Sequence, residues 1–188
     1  MAELSRIKAE LALLLPPKRY KHSSGVAATA RRLAKQHGLD EALAEQTGWL
    51  HDCAKALPAA EAEKQLGVSG ADKEERATPA LWHAPLGAWM AKARFGFRHK
   101  GALKAIRFHS TGAPGQDKFG RLIFVADYIE PNRPAWPELP ALRRLARRNL
   151  DAAFLEVVRQ KLIDLLKRGK RLHPRSVLAW EDALKKYS

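Results

Sequence analysis

The stretch "DKFGRLIFVADYIEP", residues 117–131, decides the fold class of this chain. Its centre, "LIFVADYI", is rich in the branched and aromatic residues that favour strands. Yet Leu122, Val125 and Ile129 recur at the three- and four-residue spacing of one helix face. Asp117 stands where an N-cap belongs, and Pro131 where a helix must stop. No other stretch offers itself as a partner strand, and a lone strand would leave its ladder groups unpaired. The segment reads as a helix, and the chain with it as all-α.

Working outward, the pattern repeats. Tyr20 to Gly38 suits one helix, and Asp40 caps "EALAEQTGWLHDCAKAL", which Pro58 ends. A short helix is expected near 59–66, followed by the polar loop "GVSGADKEERAT". Pro85 fits the first turn of a helix running to about Phe95, with His83 just before its start. "GALKAIRFHSTG" reads as a helix closed by Gly112. In "MAELSRIKAELALLLPP", Leu4, Ile7, Leu11 and Leu14 mark one helix face, and Glu3 and Glu10 interrupt the apolar run, which argues against a secretory leader. Two or three basic amphipathic helices from about 138 to 186 complete the chain. At 188 residues, one helical domain over 1–188 is expected.

Composition narrows the class of partner. No apolar run approaches the ~18 residues that a membrane span needs, so no membrane partner is expected. A lone Cys53 excludes an intramolecular disulfide and suits a reducing cytoplasm. Lys and Arg number 34 against 20 acids, a net charge of +14, which points to an anionic partner. Residues 143–175 hold eleven of the bases against three acids, headed by Arg143, Arg144, Arg147 and Arg148. Only Phe154 interleaves with these charges, fewer stacking platforms than a single-strand binding surface uses.

The chemistry begins with "GWLHDCAK", residues 48–55, where His51 and Asp52 interrupt an apolar helix. Burying an imidazole and a carboxylate there costs several kcal/mol unless each finds a partner. His22, His83 and His109 fall at element ends, and Asp127 lies on the apolar side of its helix. Singly, each suits a hydrogen-bonded buried residue; together, four imidazoles and two carboxylates form a mixed N/O ligand set suited to Fe, Mn or Zn. His37, His99 and His173 fit no such position.

In that order, and in the stretches "RYKHSSGV", "LHDCAKAL", "LWHAPLGA", "AIRFHSTG" and "VADYIEPNR", the chain resembles the HD-domain metal phosphohydrolases. More closely, it is similar to the symmetrical diadenosine tetraphosphate hydrolases, the symmetrical bis(5'-nucleosyl)-tetraphosphatases. The resemblance covers about residues 19–133, with a compatible helical remainder over about 138–186. It implies an all-α HD-domain bundle with extra C-terminal helices and two divalent metal ions, commonly Fe, with Mn, Co, Ni or Zn as alternatives. Asp52 would bridge, His22, His51 and Asp127 would complete one ion's shell, and His83 and His109 would serve the other.

Two cations about 3.5–4 Å apart acidify a bridging water and stabilise in-line displacement at phosphorus, so no protein nucleophile is needed. Lys55 and Arg133 are the candidates to neutralise polyphosphate. Thr111 and Gly112 follow His109 and could meet a phosphate, Glu130 would support the shell through a hydrogen bond, and Tyr128 or Trp136 could stack on adenine. The expected reaction splits diadenosine tetraphosphate into two ADP, with related dinucleoside polyphosphates and tetraphosphate-capped RNA 5' ends as further partners, on a protein that could form a homodimer. Another HD-type nucleotide phosphatase or phosphodiesterase, or an RNA-binding protein with a vestigial metal site, remain the alternatives.

Overall fold

The computed structural model describes residues 2–185. Among them are eleven α-helices and no strand: α1 (Ala2–Leu14), α2 (Pro17–His37), α3 (Glu41–Leu50), α4 (Ala59–Leu66), α5 (Lys73–Arg76), α6 (His83–Ala93), α7 (Lys100–Phe108), α8 (Lys118–Ile129), α9 (Leu139–Arg148), α10 (Leu150–Lys167) and α11 (Pro174–Leu184). Lys186, the end of the expected C-terminal part, lies outside the described residues.

The deciding stretch is the helix α8, started by the Asp117 side chain accepting from the Gly120 N–H at 2.7 Å. Every residue from Gly120 to Asp127 is buried, because α8 packs against α2, α7 and α10 on different sides. That explains its strand-like composition: a helix covered all round has no polar stripe to betray its period. Its Ile123 and Val125 join Val26, Leu33 and Phe154 in one cluster of the core. A second cluster, with Ile7, Leu11, Trp49, Leu50, Leu86 and Ile106, lies beneath α1 and α6. Ile7 and Leu11 of the expected α1 face are fully buried, and Leu4 and Leu14 pack at its edge.

Several boundaries differ from the sequence reading. α3 stops at Leu50, and residues 51–56 form successive tight turns, with Cys53 N–H bonded to Leu50 O and Lys55 N–H to Asp52 O. Here the His51 ring takes the Gly48 carbonyl at 2.7 Å, a group the continuing helix would have used for its own ladder. α7 likewise ends at Phe108, before Gly112, whose φ of 70° lets its N–H close back on Phe108 O at 2.8 Å. His83 is the first residue of α6 rather than its predecessor. The expected loop after residue 66 contains α5, fixed by a reciprocal cap between Asp72 and Glu75.

α2 and α3 approach closely at Gly48, where a β-carbon would stand 2.6 Å from the Ala27 Cα. This contact sets the end of α3, and so the His51 and Asp52 pair, directly against the helix that carries His22.

Candidate metal centre

Six side chains from five places in the chain converge: His22 from α2, His51 and Asp52 from the turn after α3, His83 at the start of α6, His109 just past α7, and Asp127 from α8. His51 is fully buried, and His83, His109, Asp52 and Asp127 are 8% exposed or less. Two groupings share Asp52. Its Oδ2 faces His51 Nε2 at 3.8 Å and His22 Nε2 at 4.0 Å, and these two imidazoles lie 3.1–3.7 Å from Asp127 Oδ1. Its Oδ1 faces His109 Nε2 at 3.4 Å and His83 Nε2 at 3.6 Å.

The donor chemistry fits cations. Nδ1 of His51 lies 2.7 Å from Gly48 O, and Nδ1 of His109 lies 2.7 Å from Ile106 O. A carbonyl only accepts, so in each ring Nδ1 carries the proton and Nε2 turns a lone pair inward. His51 Nε2 then faces His22 Nε2 at 3.3 Å, and His109 Nε2 faces His83 Nε2 at 3.2 Å. Lone pairs so close repel unless a proton or a cation lies between them. Asp52 Oδ1 is buried with no hydrogen-bond partner, which is costly for an ionised carboxylate. Ligands 2.0–2.2 Å from a common ion stand about 3.0–3.6 Å apart, close to the spacing seen here.

Electrostatics keep His51, His83 and the two carboxylates in their metal-binding forms. Burial lowers the His51 pKa to about 4 and also depresses His83, so both rings are neutral near pH 7. Burial works against ionising Asp52 and Asp127, but the surrounding imidazoles, with Arg133 also beside Asp127, hold both well below the usual carboxylate range. Burial would also lower His22, yet its bonds to Asp127 and Glu130 outweigh that and raise it. The Glu130 carboxylate lies 3.1 Å from His22 Nδ1 and is seated over Gly25, where any side chain would collide with it.

Positive groups ring this cluster. The Lys55 Nζ is 2.9–3.0 Å from the His83 ring nitrogens, and burial lowers its pKa. Arg133 donates to Asp127 Oδ1 at 2.8 Å and to the Asp127 carbonyl. Three residues escaped the sequence reading. Ser110 places its Oγ 2.8 Å from His83 Nε2, Arg19 reaches within 3.7 Å of Asp52 Oδ2, and Lys161 of α10 donates to His109 O at 3.4 Å over the face of Phe124. Adjacency to His109 was a signal for Ser110. Arg19 and Lys161 look like any other surface base in sequence.

Other candidates are placed differently. Gly112 is the turn that ends α7 and packs against Ala179, Phe124 and Phe154, while Thr111 is buried with its hydroxyl spent on Gly112 O. The Thr111 hydroxyl proton and the Gly112 N–H are thus both engaged within the turn. Tyr128 packs edge-on against Trp136 at 5.4 Å, and the pair lines a hollow of 260 Å³ with Arg133, continuing into one of 360 Å³ against α10.

The three remaining histidines have other work. His99 and His173 cap α7 and α11, and His37 Nε2 lies 2.7 Å from Ala146 O. His173 also stands near Asp72 and Glu75, another group of metal-type side chains. There Nδ1 accepts the Arg175 N–H, and Arg107 and Arg175 occupy the carboxylates, so the group is an ion-paired clamp.

Residues 19–132 match the family model described as "HD domain". Over 167 residues the chain is 35% identical to a Bacillus subtilis (strain 168) protein named "Bis(5'-nucleosyl)-tetraphosphatase, symmetrical", covering 86% of this chain and 87% of that one. A protein of the same name from Staphylococcus aureus (strain NCTC 8325 / PS 47) is 31% identical over 168 residues, 87% of this chain and 85% of its own. A crystal structure from Clostridium acetobutylicum, described as a "predicted HD superfamily hydrolase involved in NAD metabolism", superposes with a TM-score of 0.91 at 33% identity over 97% of both chains.

Proposed function

We propose a function on the premise that this chain belongs to the HD-domain family, within the symmetrical bis(5'-nucleosyl)-tetraphosphatases. It is a hydrolase, and its substrate is a dinucleoside tetraphosphate cleaved at the central anhydride into two nucleoside diphosphates, with diadenosine tetraphosphate giving two ADP. Two divalent ions, iron first among the candidates, would be held by His22, His51, Asp127 and one oxygen of Asp52, and by His83, His109 and the other oxygen. When bound, such a pair supplies Lewis-acid charge and an acidified water.

The observation that carries this reading is the division of labour on Asp52: its two oxygens face two separate pairs of imidazoles. A carboxylate so placed supports the reading of Asp52 as a bridge between two ions. The protein's own part is to fix donors and to gather charge. Backbone carbonyls of Gly48 and Ile106 lock the tautomers of His51 and His109. Lys55, Arg133 and Lys161 place three cations around the cluster, charge suited to a polyphosphate substrate. Next to Arg133, the hollow lined by Tyr128 and Trp136 offers an aromatic wall to a nucleoside. The same anhydride chemistry extends to the tetraphosphate-capped 5' end of an RNA.

The test is product chromatography with diadenosine tetraphosphate on protein loaded separately with Fe, Mn, Co, Ni or Zn, alongside elemental analysis. ADP as the sole nucleotide product, with two metal ions per chain, supports the reading. AMP with ATP, or turnover indifferent to chelation, overturns it.

A further inference from the structure

Away from the centre, three arginines line one pocket of 160 Å³: Arg32 from α2, with Arg143 and Arg147 from α9. Leu33, Ile129 and Pro131 complete its wall, and no carboxylate lines it. Ten other arginines of the chain sit in ion pairs, among them Arg19, Arg121 and Arg175. Arg32 and Arg147 have no acidic partner within ion-pair distance among the described residues. Like charges gathered around a concavity repel one another and are relieved by an anion.

Arg143 gives the site a fixed member. Its Nε donates to Ile129 O and its Nη2 to Glu130 O, both at 2.9 Å, so the guanidinium is held by the last carbonyls of α8 with N–H groups to spare. The same chain segment separates this pocket from the metal centre. Ile129 and Pro131 face the arginines, while the Glu130 carboxylate between them turns to His22. The pocket is thus a distinct place. Guanidinium groups from two helices favour a tetrahedral oxyanion over a chloride, since each can donate in pairs.

We propose that Arg32, Arg143 and Arg147 form a second anion site that takes a phosphoryl group, outside the catalytic centre and independent of it. The group arrives either as a small phosphate or on the backbone of a nucleic-acid strand, and both sources share this chemistry.

The experiment uses the full chain loaded with zinc, isotope-labelled at arginine, and follows the Arg32, Arg143 and Arg147 side-chain Nε–H signals by NMR. One arm adds inorganic phosphate; the other adds an uncapped RNA ten-mer. Saturable shifts of these signals with phosphate identify a small-anion site, and shifts with RNA alone identify a strand contact. Either outcome supports the proposal. In an Arg32→Gln/Arg147→Gln variant the affinity should fall at least tenfold, while kcat for the dinucleotide stays within twofold. The two arginines are exposed, so the fold should hold, as circular dichroism would check. No saturable shift in either arm, or affinity unchanged in the variant, overturns the site. Because the readout is binding, a failure here is separate from any failure of the hydrolase reading.

Discussion

The imidazole of His22 points its Nε2 at Asp127, 3.1 Å from Oδ1, while its opposite nitrogen meets Glu130. The other Glu130 carboxylate oxygen accepts the Asn132 N–H at 2.6 Å, so the group is held in place to orient His22. Partners of this kind are worth about 10–100-fold in metal affinity. Glu130→Ala should therefore lose metal to a competing chelator at 10–100-fold lower chelator concentration than wild type, with helical content intact. Equal retention in the two proteins would show that His22 is positioned by packing alone.

Asp52→Ala is expected to abolish turnover and to lower metal content. It removes the one group that both pairs of imidazoles share. The fold should survive, because the lost side chain is a small buried carboxylate with one unsatisfied oxygen. Metal analysis and turnover on the same sample check this. Full activity would end the bridged two-ion reading.

Much of this centre was legible because its residues are rare in their surroundings. His51 and Asp52 inside an apolar run, and Asp127 inside "LIFVADYI", stand out against neighbours that must be buried. Their convergence was not readable from spacing, since it depends on the bare Gly48 letting α3 close on α2. Nor was the end of α3, where a side chain competes for a backbone carbonyl. For Thr111 and Gly112 the sequence could not separate two roles, because a helix-ending turn and a phosphate loop use the same residue types. Lys161 lay hidden among the six charged residues of α10, three basic and three acidic, with nothing in the spacing to single it out.

His99→Ala tests whether the ligand histidines were correctly separated from the rest. The His99 side chain accepts the Ala102 N–H at 3.2 Å and so caps α7. Loss of a cap costs about 1 kcal/mol, so the variant should melt a few degrees lower while retaining metal and turnover. A large drop in metal content would place His99 in the centre.

A second ion cluster contributes to the response to acid. Glu75 is 1% exposed and paired with Arg107 and Arg175, tying α5 to α7 and to the start of α11. Burial opposes its ionisation, but the two guanidiniums outweigh it and hold its pKa below the ordinary 4.5. A depressed carboxyl stabilises the fold above its unfolded pKa, and that contribution is lost as pH falls from about 4.5 through the folded value. Breaking a buried pair costs about 3 kcal/mol or more. Glu75→Gln should be destabilised by about that much at pH 7, and its thermal midpoint should fall less than that of wild type between pH 5 and 3. Parallel pH curves for the two proteins would exclude Glu75 as the titrating group.

Lys161 offers the sharpest test of how the C-terminal helices serve the centre. Its ammonium has no carboxylate within ion-pair distance among the described residues; it rests on His109 O at 3.4 Å and lies 4.3 Å from the Phe124 ring centroid. Burial pushes its pKa down to about 8, a measure of how poorly the charge is compensated without an anion beside it. A polyphosphate would supply that anion. A hydrogen bond to a charged group contributes about 1.5–3 kcal/mol, which corresponds to roughly 10–100-fold in kcat/KM. Lys161→Met keeps the apolar stem over Phe124 and removes only the charge, so kcat/KM for the dinucleotide should fall by that factor with two metal ions still bound, and Lys161→Arg should recover part of it. If metal content instead falls in step with activity, Lys161 acts by holding the His109 turn, and the substrate draws its charge compensation from Lys55 and Arg133.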